Sequence, residues 1–97
     1  MKLSQANIEL IGAYLKDKPV IKAYLFGSQL HGDATEKSDV DILLDLDYSE
    51  AIGLLFVRMK LDLTSLLDKE VDLVSSHGLS RHLKPIIDRD KLLIYAR

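Results

Sequence analysis

The chain has 97 residues, 47% hydrophobic and 29% charged, which is enough for one compact domain and too few for two. Thirteen basic against fifteen acidic residues leave a formal net charge of -2, so no global positive field draws in nucleic acid, and direct nucleic-acid binding is not expected. The lack of cysteine excludes a disulfide scaffold, a thiol nucleophile and cysteine–zinc sites. No apolar run is long enough to span a bilayer or to serve as a signal peptide, so no membrane role is expected and the expected location is the cytoplasm.

Residues 4–17 read as a helix. Ser4 is its expected N-cap, Ile8, Ile11 and Leu15 recur at helical spacing, and Leu10 and Tyr14 widen the stripe. Pro19 ends that segment. Residues 20–26, rich in β-branched and aromatic side chains, read as a strand running into Gly27-Ser28. Residues 29–38 are polar and loop-like. Residues 39–47 alternate, with Val40, Ile42, Leu44 and Leu46 on one face and Asp39, Asp41, Leu43, Asp45 and Asp47 on the other. A helix is expected over 49–68, with Ser49 near its start and Ile52, Leu55, Met59, Leu63 and Leu66 along one side. A strand over 70–75, a helix over 79–90 started or interrupted near Pro85, and a short strand over 92–95 complete the order. This order predicts an α/β (α+β) fold in one domain spanning residues 1–97, with helices packed on a small mixed β-sheet.

The chemistry-bearing residues cluster around these strands. Side chains at i and i+2 of a strand share a face, so Asp39 and Asp41 present two carboxylates side by side. Such a pair repels itself unless a cation intervenes, and hard Mg²⁺ favours carboxylate together with phosphate oxygens. Asp72, in the next strand, completes the cluster if the two strands are neighbours. Gly27 lets a phosphate approach the backbone, and the Ser28 hydroxyl with the amides after it would donate to phosphate oxygens. Asp45 and Asp47 read instead as a charged strand end that discourages edge pairing. His77 and His82 read as surface histidines, and Lys37 and Arg58 as surface cations. The apolar stripe of 52–66 reads as core first and partner surface second.

Phe26-Gly27-Ser28-Gln29-Leu30-His31-Gly32-Asp33-Ala34 followed by Ser38-Asp39-Val40-Asp41-Ile42 resembles the signature of the minimal nucleotidyltransferase (MNT) family, within the DNA polymerase β-like nucleotidyltransferase superfamily. The resemblance extends over nearly the whole chain, including Glu70-Val71-Asp72-Leu73-Val74. It implies a nucleotidyltransferase-like fold in which Gly27, Ser28, His31 and Gly32 bind ATP, a nucleoside triphosphate. It further implies that Asp39, Asp41 and Asp72 are catalytic and ligate Mg²⁺, Asp72 as metal ligand or as base for the acceptor hydroxyl. Many relatives carry arginine where His31 precedes Gly32 here, which bears on phosphate affinity. Small members of this kind are often antitoxins that form hetero-oligomers with HEPN-domain ribonuclease toxins. Some of them transfer AMP to a tyrosine hydroxyl of the toxin. Two other readings stay open: an antitoxin that neutralises by binding alone, and nucleotidyl transfer to a small molecule with a partner subunit.

Overall fold

A computed structural model describes residues 3–27, 39–79 and 81–97. Helix α1 (Gln5–Leu15) opens on Ser4, whose Oγ accepts from the Asn7 amide at 3.1 Å and satisfies one of the free donors of the first turn. Ile11 and Leu15 are buried, while Leu10 on the flank is exposed. Strand β1 (Val20–Phe26) pairs antiparallel with β2 (Val40–Leu46). The register shifts between Val20 and Lys22, where β1 carries one residue more than its partner. This bulge puts Val20 and Ala23, three residues apart, both in the core, and leaves Ile21 and Lys22 exposed.

Helix α2 (Leu55–Leu67) crosses to β3 (Val71–Ser75), which lies parallel to β2. The helix does not begin near Ser49 as expected. Asp47 Oδ1 accepts from both the Ser49 amide (3.0 Å) and the Ser49 hydroxyl (2.6 Å), and this side-chain turn holds the chain away from helical geometry. Gly53 then takes φ +40°, and the helix starts after Leu54. Its buried stripe is Met59, Leu63 and Leu67. Leu66, expected inside, is 40% exposed because the stripe follows i, i+4, i+8. Leu54, Val57 and Leu61 line the outer side of this helix and stay exposed.

A 3-10 turn (Ser76–Gly78) leads toward α3 (Leu83–Asp90) and the last strand β4 (Leu92–Ala96). Pro85 falls in the first turn of α3, where a missing N–H removes no helical bond. The sheet order is β3-β2-β1-β4, mixed because β2 and β3 run parallel while β1 runs antiparallel to both β2 and β4. Residues of α1 and α2 cover one face, burying Val20, Ala23, Leu25, Val40, Ile42, Leu44 and Val71 against Ile11, Leu15, Met59 and Leu63. Truncating a fully buried member such as Met59 to alanine would cost about 2–5 kcal/mol. The opposite face carries Asp41, Leu43 and Asp45. Leu43 is nonetheless buried on this face, at 2% exposed. Among the described residues, no helix is long and apolar enough to cross a membrane.

Candidate active site

The parallel β2–β3 ladder sets Asp41 in register with Asp72. Neighbouring strands lie about 4.8 Å apart, so residues paired this way point their side chains to the same face as close neighbours. Asp39 sits one residue before β2 and is exposed. The Asp41 carboxyl is pushed above the usual carboxylate range, first by burial and then by the charges of Asp72 and Asp39. Asp39 and Asp72 thus both lie near enough to Asp41 for their charge to act on it.

On the other side of Asp41 lies Gly27, at the end of β1. It has φ +79°, a left-handed conformation, and a Cβ added there would run into the Asp41 carboxylate. Both the turn and the close approach require glycine. Phe26, just before it, pairs across the ladder with Asp41. Ser28, His31 and Gly32, the other residues expected to hold a nucleotide, lie outside the described residues, as does Lys37.

Lys60 is a residue that sequence reasoning missed. It reaches from α2 to the far side of the cluster, with Nζ 4.0 Å from Asp72 Oδ1 and 3.8 Å from Glu70 Oε1. Only the packing of α2 against the β3 edge brings it there, and no motif marks it.

Asp39, Asp41 and Asp72 are all oxygen donors, and Asp41 is destabilised by its own neighbours' charge. That is the chemistry of a site fitted to a hard divalent cation. Among the described residues, no three acidic or histidine side chains converge tightly enough to hold one ion. The donor set fits, then, but it is not closed around a single point.

The acidic residues at and just beyond the end of β2 have other partners. Asp45 Oδ1 accepts from the Ser76 hydroxyl at 2.9 Å, and Asp47 Oδ2 accepts from Arg97 at 2.8 Å. β2 is an interior strand, so the edge-protecting role expected for Asp45 and Asp47 does not apply. His77, exposed as expected, stacks on Tyr48 with ring centroids 4.3 Å apart. Arg58 pairs with Asp62 at 3.5 Å, one turn along α2.

The chain matches the family model described as polymerase beta, nucleotidyltransferase over residues 9–97. A Methanocaldococcus jannaschii protein, provisionally named a protein adenylyltransferase, is 36% identical over 83 residues, covering 82% of this chain and 83% of the relative. The protein adenylyltransferase MntA of Thermococcus cleftensis is 34% identical over 70 residues, covering 72% and 70%. Among solved structures, a protein provisionally named a minimal nucleotidyltransferase superposes with TM-score 0.78 at 31% identity, over 91% of this chain and 89% of that one. A chain from a toxin–antitoxin structure with AMP-PNP superposes with TM-score 0.77 at 25% identity, over 98% and 75%.

Proposed function

The chain belongs to the polymerase β nucleotidyltransferase family and is a nucleotidyltransferase; on that footing we propose that it is an antitoxin that transfers AMP from ATP to a tyrosine hydroxyl of a HEPN ribonuclease toxin. The observation that carries this reading is the in-register pair Asp41–Asp72 with Gly27 closing on Asp41. The protein-adenylyltransferase relatives and the toxin–antitoxin likeness support AMP as the group and a protein as the acceptor. The sequence resemblance to MNT antitoxins supports the HEPN identity of that partner.

The transfer forms one bond and breaks another. The acceptor oxygen bonds to the α-phosphorus, and the bond from that phosphorus to the bridging oxygen of the β-phosphate breaks. Pyrophosphate leaves with that electron pair. The acceptor proton passes to Asp72, which stands beside Asp41 at the edge of the cluster. Gly27 leaves the backbone open where the triphosphate lies and keeps the strand end close to Asp41. Asp39, Asp41 and Asp72 would hold Mg²⁺, which when bound supplies positive charge for the α-phosphate and the departing pyrophosphate. Lys60 adds a fixed cation on the Asp72 side.

Neutralisation by binding alone is the second reading. It is favoured by the carboxylates not being gathered around one point among the described residues. The exposed strip of Leu54, Val57 and Leu61 is compatible with either reading, since both need a protein surface.

Intact-mass spectrometry of the co-expressed partner after incubation with ATP and Mg²⁺ separates the two. Added AMP mass that disappears in Asp39→Ala establishes transfer. An unmodified but inhibited partner, equally inhibited by Asp39→Ala, establishes masking and overturns the proposal.

A further inference from the structure

Gly27, Asp41, Asp72 and Lys60 form a row across the sheet. A Cβ on Gly27 would strike the Asp41 carboxylate, Asp41 is in register with Asp72, and Lys60 Nζ stands 4.0 Å from Asp72 Oδ1. β3 is the outer strand at this end of the sheet. Helix α2 packs on the other face, so Lys60 comes round the β3 edge to meet Asp72. The Lys60 and Asp72 side chains are 40% and 49% exposed there, open to a large molecule. Their contact is an ion pair, too long for a hydrogen bond. Glu70, two residues before Asp72, lies 3.8 Å from the same Nζ, and that contact is too long as well. The ammonium thus sits between two carboxylates and is hydrogen-bonded to neither.

Resting on the transferase reading above, we propose that Lys60 is a further catalytic residue, which receives the acceptor oxygen together with Asp72 at the β3 edge. In an in-line displacement the entering and leaving oxygens stand on opposite sides of the phosphorus. Gly27 opens the backbone to the triphosphate at one end of the row, so the acceptor enters at the other end, where Lys60 is. The 4.0 Å gap between Lys60 and Asp72 admits one oxygen, which can stand about 2.8 Å from Nζ and from Oδ1 at once. In that place the acceptor hydroxyl donates to Asp72 and accepts from the Lys60 ammonium. Its proton passes to Asp72, its electron pair forms the bond to the α-phosphorus, and pyrophosphate leaves with the pair of the broken bond. Lys60 keeps its own proton throughout and offsets the negative charge that gathers on the entering oxygen. A phenol ionises near pH 10, close enough to the working range for one fixed cation to matter.

The test uses the full chain with its co-expressed partner as acceptor, prepared once with ordinary tyrosine and once with fluorinated tyrosine, whose phenol ionises more readily. Lys60→Met removes the charge and keeps an unbranched stem at a half-exposed position, so circular dichroism should not change. With the ordinary partner this variant is expected to lower kcat for AMP transfer about 10²-fold. Its Kd for Mg²⁺·ATP, measured by calorimetry without the partner, is expected to stay within about twofold of the wild type. With the fluorinated partner the defect should shrink about tenfold, because an oxygen that ionises more easily needs the cation less. A defect of equal size on both partners overturns the proposal and leaves Lys60 a structural neighbour of Asp72. An unchanged kcat in Lys60→Met overturns it too. A loss of ATP affinity in parallel with the rate also overturns it, and moves the ammonium to the triphosphate. A wild type that binds ATP but puts no AMP on the partner removes the transferase reading, and the role of Lys60 with it.

Discussion

Gly27 and Asp41 meet across two neighbouring strands so closely that no side-chain carbon fits on Gly27 beside the carboxylate. Gly27→Ala must therefore both strain a φ of +79° and displace Asp41. The expected cost is about 1–3 kcal/mol of stability, with loss of transfer beyond what that destabilisation explains. Urea unfolding alongside an AMP-transfer assay at a temperature where the variant is fully folded checks both parts.

Asp41→Asn is expected to reduce transfer by about 10²-fold or more, since charge positioned for the transferring phosphate is lost. Its effect on stability runs the other way. Burial and neighbouring charge raise the Asp41 pKa in the folded state, so ionised Asp41 opposes folding above that pKa. The asparagine variant should be the more stable protein near neutrality. The difference should shrink as pH falls toward the range where Asp41 is protonated in both folded and unfolded chains. Unfolding curves at several pH values would show the convergence.

Arg97 closes the end of β4 against the end of β2. The Arg97 guanidinium, followed by the Ser49 hydroxyl and amide, holds the Asp47 carboxyl down to about 2. A depressed folded pKa contributes stability above the unfolded carboxylate range, near 4, and that contribution is lost as pH falls through about 2. Asp47→Asn should be less stable than the wild type by a constant amount above about pH 5, and the difference should close as pH falls through about 2 and below. A gap that persists unchanged in acid would refute the assignment.

Tyr14 ties α1 to α2, donating from its hydroxyl to Asp62 Oδ2 at 2.6 Å. Burial, and then the Asp62 carboxylate, raise the pKa of this phenol, so the bond persists into strongly alkaline solution. Tyr14→Phe should cost about 1–2 kcal/mol, because Asp62 keeps its pairing with Arg58 when the hydroxyl is gone. Chemical denaturation measures it directly, and a cost near zero would mean water replaces the hydroxyl fully.

Much of this arrangement is legible in the residues because it is periodic or local. Val40, Ile42, Leu44 and Leu46 alternate over one strand, and all four are buried as the alternation requires. Asp41 beside Asp72 follows once two strands linked by a helix are taken as neighbours. What escaped reading has non-local or competing causes. The bulge near Ile21 leaves no mark in composition, since it exists only against the register of β2. Ser49 is a sound helix-cap residue, but Asp47 two positions earlier captures it first. Lys60 meets Asp72 only through helix packing.

The parallel pairing of β2 with β3 also dictates when, during synthesis, the acidic pair comes into being. A chain that has emerged through residue 68 holds Gly27, Asp39 and Asp41 and can form the antiparallel β1–β2 ladder, yet β3 with Asp72 has not followed. Asp72 arrives only after α2 has folded back across the sheet, the slower kind of closure. A slip of one residue in the β2–β3 pairing would turn Asp72 to the wrong face. On the proposed reading, chemistry at this site is thus withheld from every chain that ends before β3 or pairs it out of register, and it reports that the β2–β3 ladder has formed.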